Sequence, residues 1–111
     1  MQFTPLTNED QLNALAAAKD YQVILKHSTT CPISKGVYQR LQKEGDTITK
    51  VSAIHVVELQ TADSLSKTIA GRFGVPHQSP QLLLIKDGKC AYHEWGFDIS
   101  AEEVSKFIDG Q

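Results

Sequence analysis

The stretch from Val23 to Ser34 reads Val23-Ile24-Leu25-Lys26-His27-Ser28-Thr29-Thr30-Cys31-Pro32-Ile33-Ser34, and it carries the residue types most able to do chemistry. An apolar run of strand type ends in a short polar turn that delivers a cysteine to the start of a helix. Pro32 suits the first helical position, where its missing N–H is no loss and its fixed φ is already helical. Cys31 then falls at the N-cap, with its sulfur near unpaired N–H groups and the positive end of the helix dipole. Such a site favours thiolate over thiol: a free cysteine titrates near ~8.5, and helix N-termini lower this to ~3.5–7.5. Free cysteines more often serve as buried apolar fillers, but the polar Ser28-Thr29-Thr30 lead-in argues for a turn surface. Ser34, one helical turn on, has two open roles: a hydrogen-bond donor to the sulfur, or a solvated hydroxyl.

Other reactive side chains give weaker signals. Cys90 follows the Asp87-Gly88 turn and reads as a buried strand cysteine ahead of a resolving thiol. A bond to Cys31 would need Cα atoms within roughly 7 Å, which the expected topology opposes. His27, His55, His77 and His93 show no metal-ligand spacing with a cysteine, so no metal site is expected. His27 precedes the reactive turn and His77 precedes a proline loop, so either could tune the sulfur. His55 and His93 read as strand residues with satisfied nitrogens. Trp95 reads as core or edge packing and not as a binding platform.

Length and composition set the frame. A chain of 111 residues is expected to form one domain, 1–111, burying about 65% of its unfolded surface. The formal net charge of −2 gives no basic footprint for nucleic acid. No apolar run approaches the ~20 residues that cross a bilayer. The start, Met1-Gln2-Phe3-Thr4-Pro5, lacks the charged and apolar regions of a signal peptide. With two cysteines only, the chain reads as a cytoplasmic thiol protein, not a disulfide framework.

The elements that must position Cys31 follow from periodicity. Thr7 is a candidate cap for an amphipathic helix over 8–19 with Leu12, Leu15 and Ala16 on one face. Tyr21 to His27 reads as a strand buried on both faces. A helix runs from Pro32 to about Lys43 with Ile33, Val37 and Leu41 in register; Gly36 inside it costs about 1 kcal/mol against alanine. A strand over 53–59 and a helix over 61–73 follow, closed by Gly74. Asp87-Gly88 joins the strand ending at Lys86 to Lys89–Trp95 as a hairpin. Ser100 and Glu103 form a capping box for the last helix. Strands separated by helices imply a parallel pair, and the hairpin adds an antiparallel one. The expected architecture is α/β, a central mixed sheet with helices on both faces.

This order resembles the thioredoxin fold. The resemblance is carried by Ile69-Ala70-Gly71-Arg72-Phe73-Gly74-Val75, by Ser79-Pro80, and by Lys86-Asp87-Gly88 through Gly96, and spans roughly Lys19 to Ile108. More narrowly, Thr29-Thr30-Cys31-Pro32-Ile33-Ser34 resembles the monothiol bacilliredoxins of the YtxJ-like family, thioredoxin-like proteins tied to the low-molecular-weight thiol bacillithiol. The resemblance implies that Cys31 is the attacking cysteine. It implies that Ser34 stands where dithiol relatives carry a resolving cysteine, and that Pro80 is a cis-proline with Ser79 beside Cys31. Thr30, Pro32, Ser79 and Pro80 become candidate substrate contacts. Thioredoxins bury an acid behind the site, whereas Val23-Ile24-Leu25 holds none. The implied reaction is removal of bacillithiol from S-bacillithiolated client proteins, with bacillithiol as co-substrate, no bound cofactor and a monomeric enzyme. Lys26, Lys35 and Arg72 are candidate partners for the malyl carboxylates of bacillithiol.

Two other readings compete. One is a redox-inactive thioredoxin-like module binding protein partners along the Ser79-Pro80 edge. The other is a monothiol glutaredoxin-like iron–sulfur carrier, whose Cys-Gly-Phe-Ser motif differs from this chain at Pro32 and Ile33.

Overall fold

A computed structural model describes residues Met1–Gln111. Five strands form one sheet: β1 (Gln2–Pro5), β2 (Gln22–His27), β3 (Ala53–Glu58), β4 (Gln81–Lys86) and β5 (Lys89–Trp95), in the spatial order β1-β3-β2-β4-β5. Four helices cover it: α1 (Glu9–Ala17), α2 (Pro32–Glu44), α3 (Asp63–Phe73) and α4 (Ala101–Asp109). β3 runs parallel to β1 and β2, while β4 runs antiparallel to β2 and β5. The expected mixed sheet with helices on both faces is therefore present. No helix is long and apolar enough to cross a membrane.

The two faces of the sheet bury separate cores. Val23 and Leu25 of β2 and Leu82 and Leu84 of β4 pack against Val37 and Leu41 of α2 and Val104 and Ile108 of α4. The alternate residues Ile24, Leu83 and Ile85 pack against Leu12 and Leu15 of α1 and Leu65 and Ile69 of α3. The period-2 alternation of a strand thus loads both faces of β2 and β4 with branched apolar side chains. Each fully buried leucine or isoleucine contributes ~1.5–3 kcal/mol.

Local chemistry fixes the joints. Asp87 and Gly88 both take positive φ, 53° and 75°, as a two-residue hairpin of the primed type requires. Gly74 ends α3 with φ 67°, and the Ser100 side chain accepts the Glu103 N–H at the start of α4. The cap of α1 is Asn8, not Thr7: Asn8 Oδ1 accepts the Gln11 N–H at 2.9 Å, and Gln11 Oε1 accepts the Thr7 N–H at 2.7 Å. An Asx side chain is a better cap than threonine, and Asn8 takes the position.

Two further points depart from the sequence reading. β1 is a strand that periodicity did not reveal, since four residues ending in proline give little pattern; a proline is tolerated because β1 is an edge. Ile33 is 37% exposed and lies off the core stripe of α2, which is Ser34, Val37 and Leu41. Spacings of four advance 40° around a helix each time, so Ile33 drifts out while Ser34 turns in.

Candidate active site

Cys31 is the N-cap residue of α2, with extended backbone (φ −93°, ψ 121°) and Pro32 directly after it. Its carbonyl accepts the Lys35 N–H at 3.0 Å, closing the first turn. The thiol is free and half-buried, with no side-chain hydrogen bond to a backbone N–H of the helix. The sequence placed the residue where it stands: at a surface turn on the carboxyl end of a central strand.

Ser34 fills neither of the roles open to it. It is buried, and its Oγ lies 2.7 Å from His27 Nδ1 and accepts the Ser28 N–H at 2.9 Å. Burial lowers the His27 pKa, opposed in part by the nearby Glu58 carboxylate, so the ring is neutral at pH 7. A neutral ring protonated at Nε2 accepts the Ser34 hydroxyl at Nδ1. The hydroxyl thereby ties helix α2 to the last residue of β2 and the first of the turn. The His27 ring also stacks on Tyr38, with centroids 4.6 Å apart.

A residue that carries no signal in the sequence pattern braces the same turn from outside. Gln60, in the connection after β3, donates from Nε2 to Ser28 Oγ at 2.9 Å and to Thr30 Oγ1 at 3.1 Å. Its Oε1 accepts the Thr29 N–H at 3.3 Å. Thr30 and Pro32 are both exposed on the rim of the turn.

The Ser79-Pro80 peptide bond is cis. Continuing the β2–β4 register, in which Lys26 faces Gln81, brings Pro80 level with His27 and Ser79 level with Ser28. The proline loop and the Cys31 turn therefore leave the same end of the sheet. Gln81, almost fully buried, shapes the loop by donating to the Pro76 carbonyl at 3.1 Å. The Pro80 carbonyl accepts the Gly96 N–H at 3.0 Å, while neither backbone polar group of Ser79 has a backbone partner in the chain. The Gly96 bond brings Trp95 and Phe97, 55% and 66% exposed, beside the loop. Trp95 belongs to the edge and not to the core.

The candidate cations, the other histidines and Cys90 have surroundings of their own. Lys26 is fully buried with Nζ 3.1 Å from His77 Nδ1, which also meets Ser66 Oγ at 3.0 Å. Burial brings the Lys26 pKa down to about 8 and also lowers that of His77. Arg72 donates to Asn13. Lys26 is thus closed off from solvent, whereas Arg72 on α3 and Lys35 on the first turn of α2 are exposed. His55 meets Gln22 and has its pKa lowered by burial, and His93 is exposed on β5. Cys90 is level with Ile85 and so with Gln22. It is separated from the His27 end of β2 by about 17 Å of strand, so the two cysteines cannot pair. Its thiol donates to the Tyr92 carbonyl at 3.4 Å, and burial pushes its pKa up.

Residues 4–104 match the family model described as monothiol bacilliredoxin BrxC. Among solved structures, a proposed oxidoreductase with a thioredoxin fold aligns with TM-score 0.85 at 26% identity, over 96% of this chain and 93% of that one. Mitochondrial thioredoxin 3 from Saccharomyces cerevisiae aligns with TM-score 0.77 at 21% identity, over 98% and 95% of the two chains. Thioredoxin from Trypanosoma brucei brucei aligns with TM-score 0.79 at 12% identity, over 98% and 89%. The fold is that of thioredoxin.

Proposed function

The chain belongs to the monothiol bacilliredoxin family and is a thiol oxidoreductase of thioredoxin fold; from that premise we propose that it removes bacillithiol from S-bacillithiolated proteins. The observation that carries this reading is the pairing of a free, half-exposed Cys31 at a helix N-cap with a serine, already bonded to His27, one turn later. No second thiol stands within reach, so a mixed disulfide formed on Cys31 persists until an outside thiol arrives.

In the first step the Cys31 thiolate attacks the bacillithiol sulfur of the client's mixed disulfide. The Cys31–bacillithiol S–S bond forms as the client S–S bond breaks, and the client sulfur leaves as a thiolate that takes a proton from water. In the second step another thiolate attacks the bacillithiol sulfur and returns Cys31 to its reduced form. Ser34 is a positioning residue, holding the turn through Ser28 and His27. Thr30 and Pro32 line the approach, and the unpaired backbone of Ser79 next to Pro80 is suited to pair with an extended client segment. Ile33, Trp95 and Phe97 add exposed apolar surface for the client. The enzyme acts in the cytoplasm as a monomer, with bacillithiol as co-substrate and no bound cofactor.

The test is a client protein carrying one bacillithiol, mixed with the enzyme and followed by intact-mass spectrometry. The client loses one bacillithiol and the wild type gains it; Cys90→Ser behaves as wild type, and Cys31→Ala gains nothing. A client that keeps its bacillithiol in the presence of reduced wild-type protein overturns the reading.

A further inference from the structure

A cleft of about 360 Å³ opens beside the Cys31 turn, within the range of small-molecule sites, roughly 300–1,000 Å³. It lies at the carboxyl ends of β1, β3 and β2, which run parallel. β2 leads into α2 on one face of the sheet, and its neighbour β3 leads into α3 on the other. Where adjacent parallel strands send their chains to opposite faces, a crevice is left at their carboxyl ends, and open α/β sheets bind ligands there.

The walls define the chemistry. Three rings line it: Phe3 and Tyr38 lie 5.1 Å apart, and His27 stacks on Tyr38. The polar lining residues Thr29, Glu58 and Thr61 stand among aliphatic ones such as Leu6 and Val56. Glu58 is the register neighbour of His27, and no lysine or arginine lines the cleft. Hydroxyls and a carboxylate in one cleft with aromatic rings favour a ring rich in hydroxyl groups and repel a carboxylate. Thr29 is two residues before Cys31, so its Cα is within about 7 Å of the Cys31 Cα.

We propose that this cleft holds a sugar-type, hydroxyl-rich portion of the low-molecular-weight thiol while that thiol is joined to Cys31. The inference rests on the reading of Cys31 as acceptor of bacillithiol and adds which part of the thiol the protein grips. Carboxylates of the thiol stay outside in solvent, which agrees with Lys26 and Arg72 being turned to other partners.

The experiment equilibrates reduced protein with the symmetrical disulfides of 1-thio-β-D-glucose, 2-mercaptoethanol and mercaptosuccinate. Cys31 thiolate and RSSR give the Cys31–SR disulfide and RS⁻, with no net change in oxidation state. Equilibrium constants are read by intact mass and divided by those of the peptide Thr-Thr-Cys-Pro-Ile, which removes intrinsic differences between the thiols. Thioglucose is expected to exceed mercaptoethanol about tenfold, the worth of one or two hydrogen bonds, with mercaptosuccinate below both. The Glu58→Gln, Thr61→Val double variant should bring the thioglucose ratio towards one and lift mercaptosuccinate. Tyr38→Leu, which keeps apolar volume, should also lower the thioglucose ratio. Amide shifts of Thr29 and Thr61 on forming the wild-type thioglucose disulfide give a readout independent of any variant's folding. A wild-type ratio near one, or a ratio unchanged in both variants, overturns the cleft. A protein that strips bacillithiol from the client without a sugar preference keeps the proposed reaction and loses the cleft. One with the preference that leaves the client untouched keeps the cleft and loses the reaction.

Discussion

Lys26 brings an ammonium group fully inside the protein, one residue before His27, with the His77 ring as a hydrogen-bond partner and no carboxylate paired to it. Its pKa is brought down by burial to about 8 from 10.5. Between those values the unfolded chain holds a proton that the folded chain has released, so stability rises with pH across that window. Below about pH 8 both states are charged and the full cost of burial stands, roughly 3 kcal/mol. Lys26→Met should therefore raise the unfolding free energy at pH 7 by roughly 2–3 kcal/mol, since a buried charge without a counter-ion is replaced by an apolar chain of similar reach. The advantage over wild type should shrink by pH 10.5. Urea unfolding of both proteins at pH 7 and pH 10.5 checks this, and equal stabilities at pH 7 would show that the ammonium is better solvated than its burial indicates. The sequence offered Lys26 only as a candidate cation for bacillithiol: a lysine at the end of an apolar strand reads as a surface charge, and the fold instead buries it beside His77.

At the scale of elements, helix α2 carries both the site and a weakness. Gly36 lies in its second turn, exposed, and a Cβ built there meets nothing within 4 Å. The fold itself gains nothing from this glycine, so Gly36→Ala should stabilise the protein by about 0.5–1 kcal/mol, measured as a shift in the urea midpoint with unchanged slope. A loss of stability would mean that the helix start is tighter than its open surroundings imply. Elements with a sustained period or a strong terminal signal were legible in the sequence: β2 from its apolar run, α2 from Pro32, the hairpin from Asp87-Gly88, α4 from Ser100 and Glu103. β1 was not, because its four residues become a strand only by pairing with β3. The site divides the same way. Cys31 at its N-cap was readable from the residues, and the cis Ser79-Pro80 bond only through the family resemblance, whereas the His27–Ser34 bond, the Gln60 brace and the Tyr38 and Glu58 walls join residues from different elements. Those contacts exist only once the sheet order is set.

Across the whole molecule, the sheet is open at β1 and β5, while β2 has neighbours on both sides and buries both faces. Local opening is easiest where few contacts must break, at termini and edges, and hardest in doubly flanked strands. Backbone amides of Val23 to Leu25 should thus exchange with deuterium only through global unfolding, and those of Gln2 to Thr4 through cheaper partial openings. Native-state exchange in low denaturant separates the two, and equally slow edges would contradict it. The reactive turn springs from that most protected strand, tied back to it through His27 and Ser34. Breathing at the rims therefore leaves the nucleophile moored, and a partner can pry at either margin of the sheet without shifting the sulfur's aim.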